Sequence, residues 1–131
     1  MKEIPLGARS EQQLLVTGEV TIDFLGSEQA RVLATPWMIG YMELTARNAI
    51  KPFLEEGWDS VGTLVNVKHL AATPIGLAVR FEAEVLRVDG QRVTFRVEAW
   101  DEKEKIGEGV HERFVIHIGK FATRLAAKVS Q

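Results

Sequence analysis

From Val61 onward, hydrophobic and polar positions alternate with a period of two, the signature of half-buried strands. Thr63, Val65 and Val67 interleave with Leu64, Asn66 and Lys68. Leu77, Val79, Phe81, Ala83 and Val85 interleave with Arg80, Glu82 and Glu84. Val93, Phe95, Val97 and Ala99 interleave with Thr94, Arg96 and Glu98. In the last run Ile106, Val110, Phe114, Ile116 and Ile118 share a parity with Glu108 and Glu112. Breaks at Pro74-Ile75-Gly76, Asp89-Gly90 and 101–105 separate the runs, and Asp-Gly between alternating segments predicts a type I′ hairpin. The pattern predicts a four-strand antiparallel meander.

Upstream the period is different. Pro36 to Leu54 carries apolar residues on almost every helical face, from Trp37, Met38 and Ile39 to Ala49, Ile50 and Phe53. A helix of this kind must be wrapped by other structure. Thr35 is placed as its N-cap and Pro36 at the first helical position, with Pro52 and Gly57 marking its end. Ahead of it, Met1 to Ser10 reads as an extended lead-in. Leu14-Leu15-Val16 and Val20 to Phe24 read as short strands around Gly18, and 26–29 as a loop. Lys120 to Lys128 fits a short amphipathic helix. No repeat or composition shift divides the chain, so a single domain spans 1–131.

One apolar helix and five to six strands suggest an α+β architecture, a curved antiparallel sheet wrapped around the helix. That is the hotdog fold. A single open sheet leaves two edges, which such folds manage by pairing across a two-fold axis. A homodimer with a continuous sheet is expected, with a higher oligomer compatible.

Composition narrows the chemistry. The 131 residues include 46% hydrophobic and 26% charged side chains at a formal net charge of −2, with cations scattered rather than striped. That argues against a nucleic-acid footprint. No cysteine is present, which removes disulfides, thiolate metal sites and a cysteine nucleophile. Three histidines without metal-site spacing argue against a metal, and no Gly-rich loop precedes the helix to cradle a phosphate. No stretch has signal-peptide or bilayer-spanning character, so a cytoplasmic protein without membrane partners is the expectation.

Three polar residues stand out against this background: Thr35, Glu43 inside the apolar helix, and His69 at a strand end. A hydroxyl, a carboxylate and an imidazole suffice for acyl transfer. Each also has an ordinary use. Thr35 reads first as a cap, although a hydroxyl at a helix N-terminus also sits beside donors able to stabilise an oxyanion. Glu43 has Arg47 as an i+4 ion-pair partner, but a carboxylate in the most buried element invites a functional reading. His69 competes with His111 and His117, and residue chemistry does not choose among them.

The motifs go further. Ala34-Thr35-Pro36-Trp37-Met38-Ile39-Gly40-Tyr41-Met42-Glu43 resembles the helix opening of the fluoroacetyl-CoA thioesterase family of hotdog proteins. Val61-Gly62-Thr63, His69 with Ala71-Ala72-Thr73-Pro74 and Gly76, and Gly107-Glu108-Gly109 followed by His111-Glu112-Arg113 also resemble it. The similarity runs from about Val32 to the C-terminus. It implies an acyl-CoA thioesterase that releases free acid and CoA, with Thr35, Glu43 and His69 at the catalytic positions and Gly62 and Arg113 at substrate-contacting positions. His111 and His117 are then structural, and CoA enters only as part of the substrate, with no separate cofactor. A shorter segment from Leu25 to Leu33, with Gln29 at the family's lid position and Phe24 the one aromatic nearby, implies no selectivity for a fluorinated acyl group. The alternative on the same fold is a non-catalytic acyl-CoA binding or sensing module.

Overall fold

The computed structural model describes residues 3–130, and the expected lead-in lies outside them at Met1 and Lys2. Five antiparallel strands form one sheet: β1 (Arg9–Leu15), β2 (Trp58–His69), β3 (Ala78–Asp89), β4 (Arg92–Trp100) and β5 (Lys105–His117). The helix α1 (Thr35–Ile50) lies across one face, and α2 (Ile118–Val129) follows β5. The expected helix packed on a curved antiparallel sheet is present, with five strands where five to six were expected. No helix among the described residues is long and apolar enough to cross a membrane.

The strand order β1-β3-β4-β5-β2 departs from the expected four-strand meander. Only β3, β4 and β5 follow one another; β2 crosses to the far edge and pairs with β5. The crossover at 70–77 runs beneath the β4–β5 turn, where buried Thr73 donates its hydroxyl to Asp101 (2.9 Å) and Leu70 N–H bonds the Ile106 carbonyl (2.7 Å). Periodicity reports strand direction and face, and it carries no information on neighbours.

Two further differences concern local signals. β1 begins at Arg9, inside the expected lead-in, because its Arg-Ser-Glu-Gln-Gln stretch carries no apolar alternation. Val20 to Phe24 is not a strand: Gly18–Val20 forms a 3-10 turn and Thr21 makes an isolated bridge to Leu33. At the β3–β4 hairpin only Gly90 has positive φ (+62°), the pattern of a II′ turn rather than the expected I′.

The core lies between α1 and β1, β3, β4 and β5. Met38, Met42, Ala46, Ala49 and Ile50 form the buried stripe of the helix, facing Val79, Phe81, Ala83, Phe95 and Val97. The other faces of α1 are only partly covered, and Trp37 is exposed. The helix stops at Ile50 rather than Leu54, with Lys51–Phe53 forming a 3-10 turn around Pro52.

In β5 the expected parity is reversed over most of its length. Val110 is exposed and Ile118 already belongs to α2, whereas Gly107, His111, Arg113 and Val115 are buried, Gly107 lying against Met38. The helix-facing side of β5 therefore combines glycine and polar residues, a composition that hydrophobic alternation cannot reveal.

Gly109 of β5 has no room for a side chain: a Cβ there would lie 2.6 Å from Val67 Cα on the neighbouring strand. Gly40 on α1 has open space around it. Gly109→Ala is expected to lower unfolding free energy by about 1–3 kcal/mol, and Gly40→Ala to raise it by roughly 0.5–1 kcal/mol. Urea denaturation of both variants checks the pair, and equal effects of the same sign would contradict this packing.

Candidate active site

Thr35 is the first residue of α1, and Ala34 occupies the N-cap position without any side-chain capping bond. The cap reading of Thr35 is therefore replaced by another contact. Its Oγ1 lies 2.7 Å from His69 Nδ1. His69 ends β2, and α1 runs antiparallel to that strand, so the first turn of the helix meets the last residue of the strand. Burial pulls the His69 pKa below its ordinary value, with a weaker backbone interaction with Ala71 opposing. The neutral imidazole is thus favoured. With its ring proton on Nε2, Nδ1 accepts a hydrogen bond from the Thr35 hydroxyl, the arrangement by which a base activates an alcohol.

Thr35 and His69 line a cavity of about 460 Å³ whose remaining walls are apolar, including Ile22, Phe24, Val32 and Leu70. Phe24 is 77% exposed and Leu25 55%, and Gln29 lies in the neighbouring 3-10 turn Glu28–Ala30. A second cavity of about 400 Å³ runs along the outer side of α1 past Trp37, Gly40 and Leu44. Neither a carboxylate nor an imidazole lines it.

Glu43 is not at this cavity. It lies eight residues along α1, about 12 Å by the helical rise. Nor is it buried, as its position in an apolar helix suggested: its side chain is 39% exposed. Its expected partner Arg47 turns away, donating from Nε and Nη2 to the two Asp59 carboxylate oxygens (2.9 and 2.7 Å). The carboxylate of Glu43 instead lies 3.6 Å from Arg113 Nη1 and against Gly62, where an added Cβ would be 2.6 Å from its Oε2. One chain therefore brings together Thr35 with His69, and Glu43 with Gly62 and Arg113, as two neighbouring groups along α1.

Arg113 is 6% exposed and its donors are committed inside the protein. Nε donates to Ser60 Oγ (2.7 Å), Nη2 to the Ser60 carbonyl (2.8 Å) and Nη1 to His111 Nε2 (3.2 Å). His111, 1% exposed, donates from Nδ1 to the Leu64 carbonyl (2.8 Å), which fixes Nε2 as the acceptor. Burial lowers the His111 pKa, and the adjacent guanidinium adds to the effect while the Leu64 carbonyl opposes it. Burial also pulls the Arg113 pKa down, with Glu43 the leading opposing charge. Ser60 and this use of His111 escaped sequence reasoning. Their signal was the shared parity of His111 and Arg113 with Gly107 and Gly109.

Comparison with known proteins bears on the family and the fold. The family model described as fluoroacetyl-CoA-specific thioesterase matches residues 16–118. The chain belongs to this family. A fluoroacetyl-CoA thioesterase from Streptantibioticus cattleyicolor is 45% identical over 102 residues, covering 78% of this chain and 73% of that protein. A crystal structure of the fluoroacetyl-CoA thioesterase FlK superposes with a TM-score of 0.87 at 38% identity, covering 97% of this chain and 98% of the other. A Thermus thermophilus protein described as a thioesterase superfamily member gives 0.90 at 35% identity, covering 99% and 96%. The hotdog fold and the thioesterase assignment expected from the motifs both stand.

The Arg47–Asp59 pair that displaced the expected Glu43 contact makes a pH prediction. The Arg47 hydrogen bonds hold the Asp59 carboxyl well below the usual range, at about 2. A depressed carboxyl stabilises the fold above its unfolded pKa near 3.8 and loses that contribution as pH falls towards 2. Allowing for solvent around Arg47, the contribution is roughly 1–2 kcal/mol. Asp59→Asn is expected to cost that amount at pH 7 and nearly nothing near pH 2, measured by denaturant unfolding. A difference independent of pH would rule the ion pair out as its source.

Proposed function

We propose that this thioesterase hydrolyses acyl-CoA thioesters whose acyl group is a hydrocarbon larger than two carbons, using Thr35, His69 and Glu43. The observation that carries the proposal is the 2.7 Å contact between the Thr35 hydroxyl and His69 Nδ1 at the wall of an apolar cavity. His69 accepts the hydroxyl proton as Oγ1 attacks the thioester carbon, and returns it to the departing CoA sulfur. Water then cleaves the acyl-threonine ester to give the free acid. The developing oxyanion lies at the positive end of the α1 dipole, where no acidic residue occupies the first turn. Pro36 has no N–H and the Trp37 and Met38 N–H groups donate to the Ala34 carbonyl, so the dipole rather than a set of free donors supplies the stabilisation.

Glu43 serves the water step, and a second copy of the chain completes its geometry. β2 is an edge strand of 12 residues carrying the exposed side chains Leu64 (45%) and Val65 (44%). The opposite edge, β1, is shorter and opens with Arg9 and Glu11. Antiparallel pairing of two β2 strands covers the apolar edge and gives a continuous ten-stranded sheet, two five-stranded sheets joined. It also sets the Trp58 end of one β2 beside the His69 end of the other, carrying the partner's Glu43 towards Thr35 and His69.

The cavity argues against restriction to a fluoroacetyl group. Apart from Thr35 and His69 its walls are hydrocarbon, and Phe24 on its lining is exposed. Each additional buried methylene contributes about 0.8 kcal/mol, or about fourfold in kcat/KM.

Thiol release from acetyl-, fluoroacetyl-, butyryl-, hexanoyl- and phenylacetyl-CoA tests the activity and the acyl class together. Butyryl-CoA, with two more methylenes, is expected to exceed acetyl-CoA by about fifteenfold. Thr35→Ala, His69→Ala and Glu43→Ala should each lower kcat by at least about a hundredfold. Full activity in Glu43→Ala would remove the carboxylate from the mechanism, and binding without turnover on every substrate would make the protein an acyl-CoA sensor.

A second measurement follows from the lowered His69 pKa. The base is active when neutral, so kcat/KM should rise with pH through a midpoint below 6.5. A limb centred above 6.5 would contradict His69 as the base. Sedimentation equilibrium should give twice the chain mass.

A further inference from the structure

The Arg113 guanidinium, expected from the motifs to contact substrate, faces inward. Three bonds of 2.7, 2.8 and 3.2 Å bind it to Ser60 and His111, and its remaining near neighbour is the Glu43 carboxylate at 3.6 Å. Ser60 and Arg113 come from adjacent strands, β2 and β5, while Glu43 comes from the helix above. His111 closes the arrangement by bonding the Leu64 carbonyl just past the irregularity in β2 pairing between Gly62 and Leu64. It is also stacked on Phe95, with ring centroids 6.0 Å apart at 27°. Gly62 leaves the space into which Glu43 fits.

We propose that Ser60 and His111 are positioning residues: they orient the Arg113 guanidinium, which holds the Glu43 carboxylate over Gly62, so Arg113 acts through Glu43 rather than by contacting the acyl group. The inference rests on the reading that Glu43 takes part in hydrolysis. A guanidinium has five N–H donors in a rigid plane, so bonds to Ser60 from Nε and Nη2 fix that plane. The bond from Nη1 to His111 fixes the remaining edge, which presents to Glu43. His111 can fill this place only with the proton on Nδ1 and a free lone pair on Nε2, because a second ring proton would point at the guanidinium. The Leu64 carbonyl enforces that tautomer. A carboxylate displaced by about an ångström can lose about two orders of magnitude in rate without loss of binding.

The test separates the two bonds of His111. His111→Gln can retain an acceptor towards Arg113, His111→Asn can retain a donor towards Leu64, and His111→Ala retains neither. Ser60→Ala and Arg113→Lys complete the series. Ser60→Ala, His111→Ala and Arg113→Lys are expected to lower kcat by about ten- to a hundredfold with KM within about twofold. His111→Gln should recover most of the loss and His111→Asn little. In parallel, the Glu43 δ-carboxyl 13C resonance, identified by its disappearance in Glu43→Gln, should shift in Ser60→Ala and His111→Ala and return in His111→Gln. A loss carried by KM with kcat unchanged would make Arg113 a substrate ligand and overturn the proposal. So would an unmoved Glu43 resonance, or a His111→Gln variant no better than His111→Ala. The resonance needs no turnover, so it decides the positioning role even if the wild-type chain releases thiol from no acyl-CoA.

Discussion

How closely α1 can approach the sheet controls everything else in this structure. Two glycines permit that approach. A Cβ on Gly107 would lie 2.7 Å from Met38 Sδ, and one on Gly62 would lie 2.6 Å from Glu43 Oε2. With both side chains absent, the helix settles onto β5 and β2, its methionines fill the core, and its antiparallel course brings Thr35 to the end of β2. Packing at native density leaves little tolerance for displacement, so the same contact that closes the core also sets the distance between hydroxyl and imidazole.

The polar residues are distributed to suit this packing. Thr35 and His69 stand at a cavity wall, where a neutral base and a movable proton are useful. Arg113 and His111 lie beneath the helix, where a buried charge is tolerated only with its hydrogen bonds satisfied. The two groups differ accordingly: the outer pair is linked by one short bond, whereas the inner cluster is tied to backbone on β2 and to a side chain on each neighbouring element.

Several sequence signals translated directly into structure. The helix, its proline at the start, the strands β3 and β4 with their buried faces, and the Gly90 turn all follow from short-range patterns. Other signals misled for identifiable reasons. Thr35 had the residue type and position of a cap, yet Ala34 occupies that position and the hydroxyl found a longer-range partner. Arg47 had ideal spacing for Glu43, yet the bidentate geometry offered by Asp59 satisfied it better. Apolar parity in β5 indicated the wrong face because its inner face was built from glycine, histidine and arginine.

By itself the sequence determined the type of the long elements, the apolar character of α1 and, through its motifs, the thioesterase family and the candidate trio. These are local matters: backbone propensity, side-chain period and residue identity at fixed spacing. Tertiary structure alone decided that β2 crosses to the sheet edge, that Thr35 meets His69, and that Glu43 lies apart from them with Arg113 beneath it. Those outcomes depend on which elements become neighbours and how near glycine lets them come, and neither is written in the periodicity of any one segment.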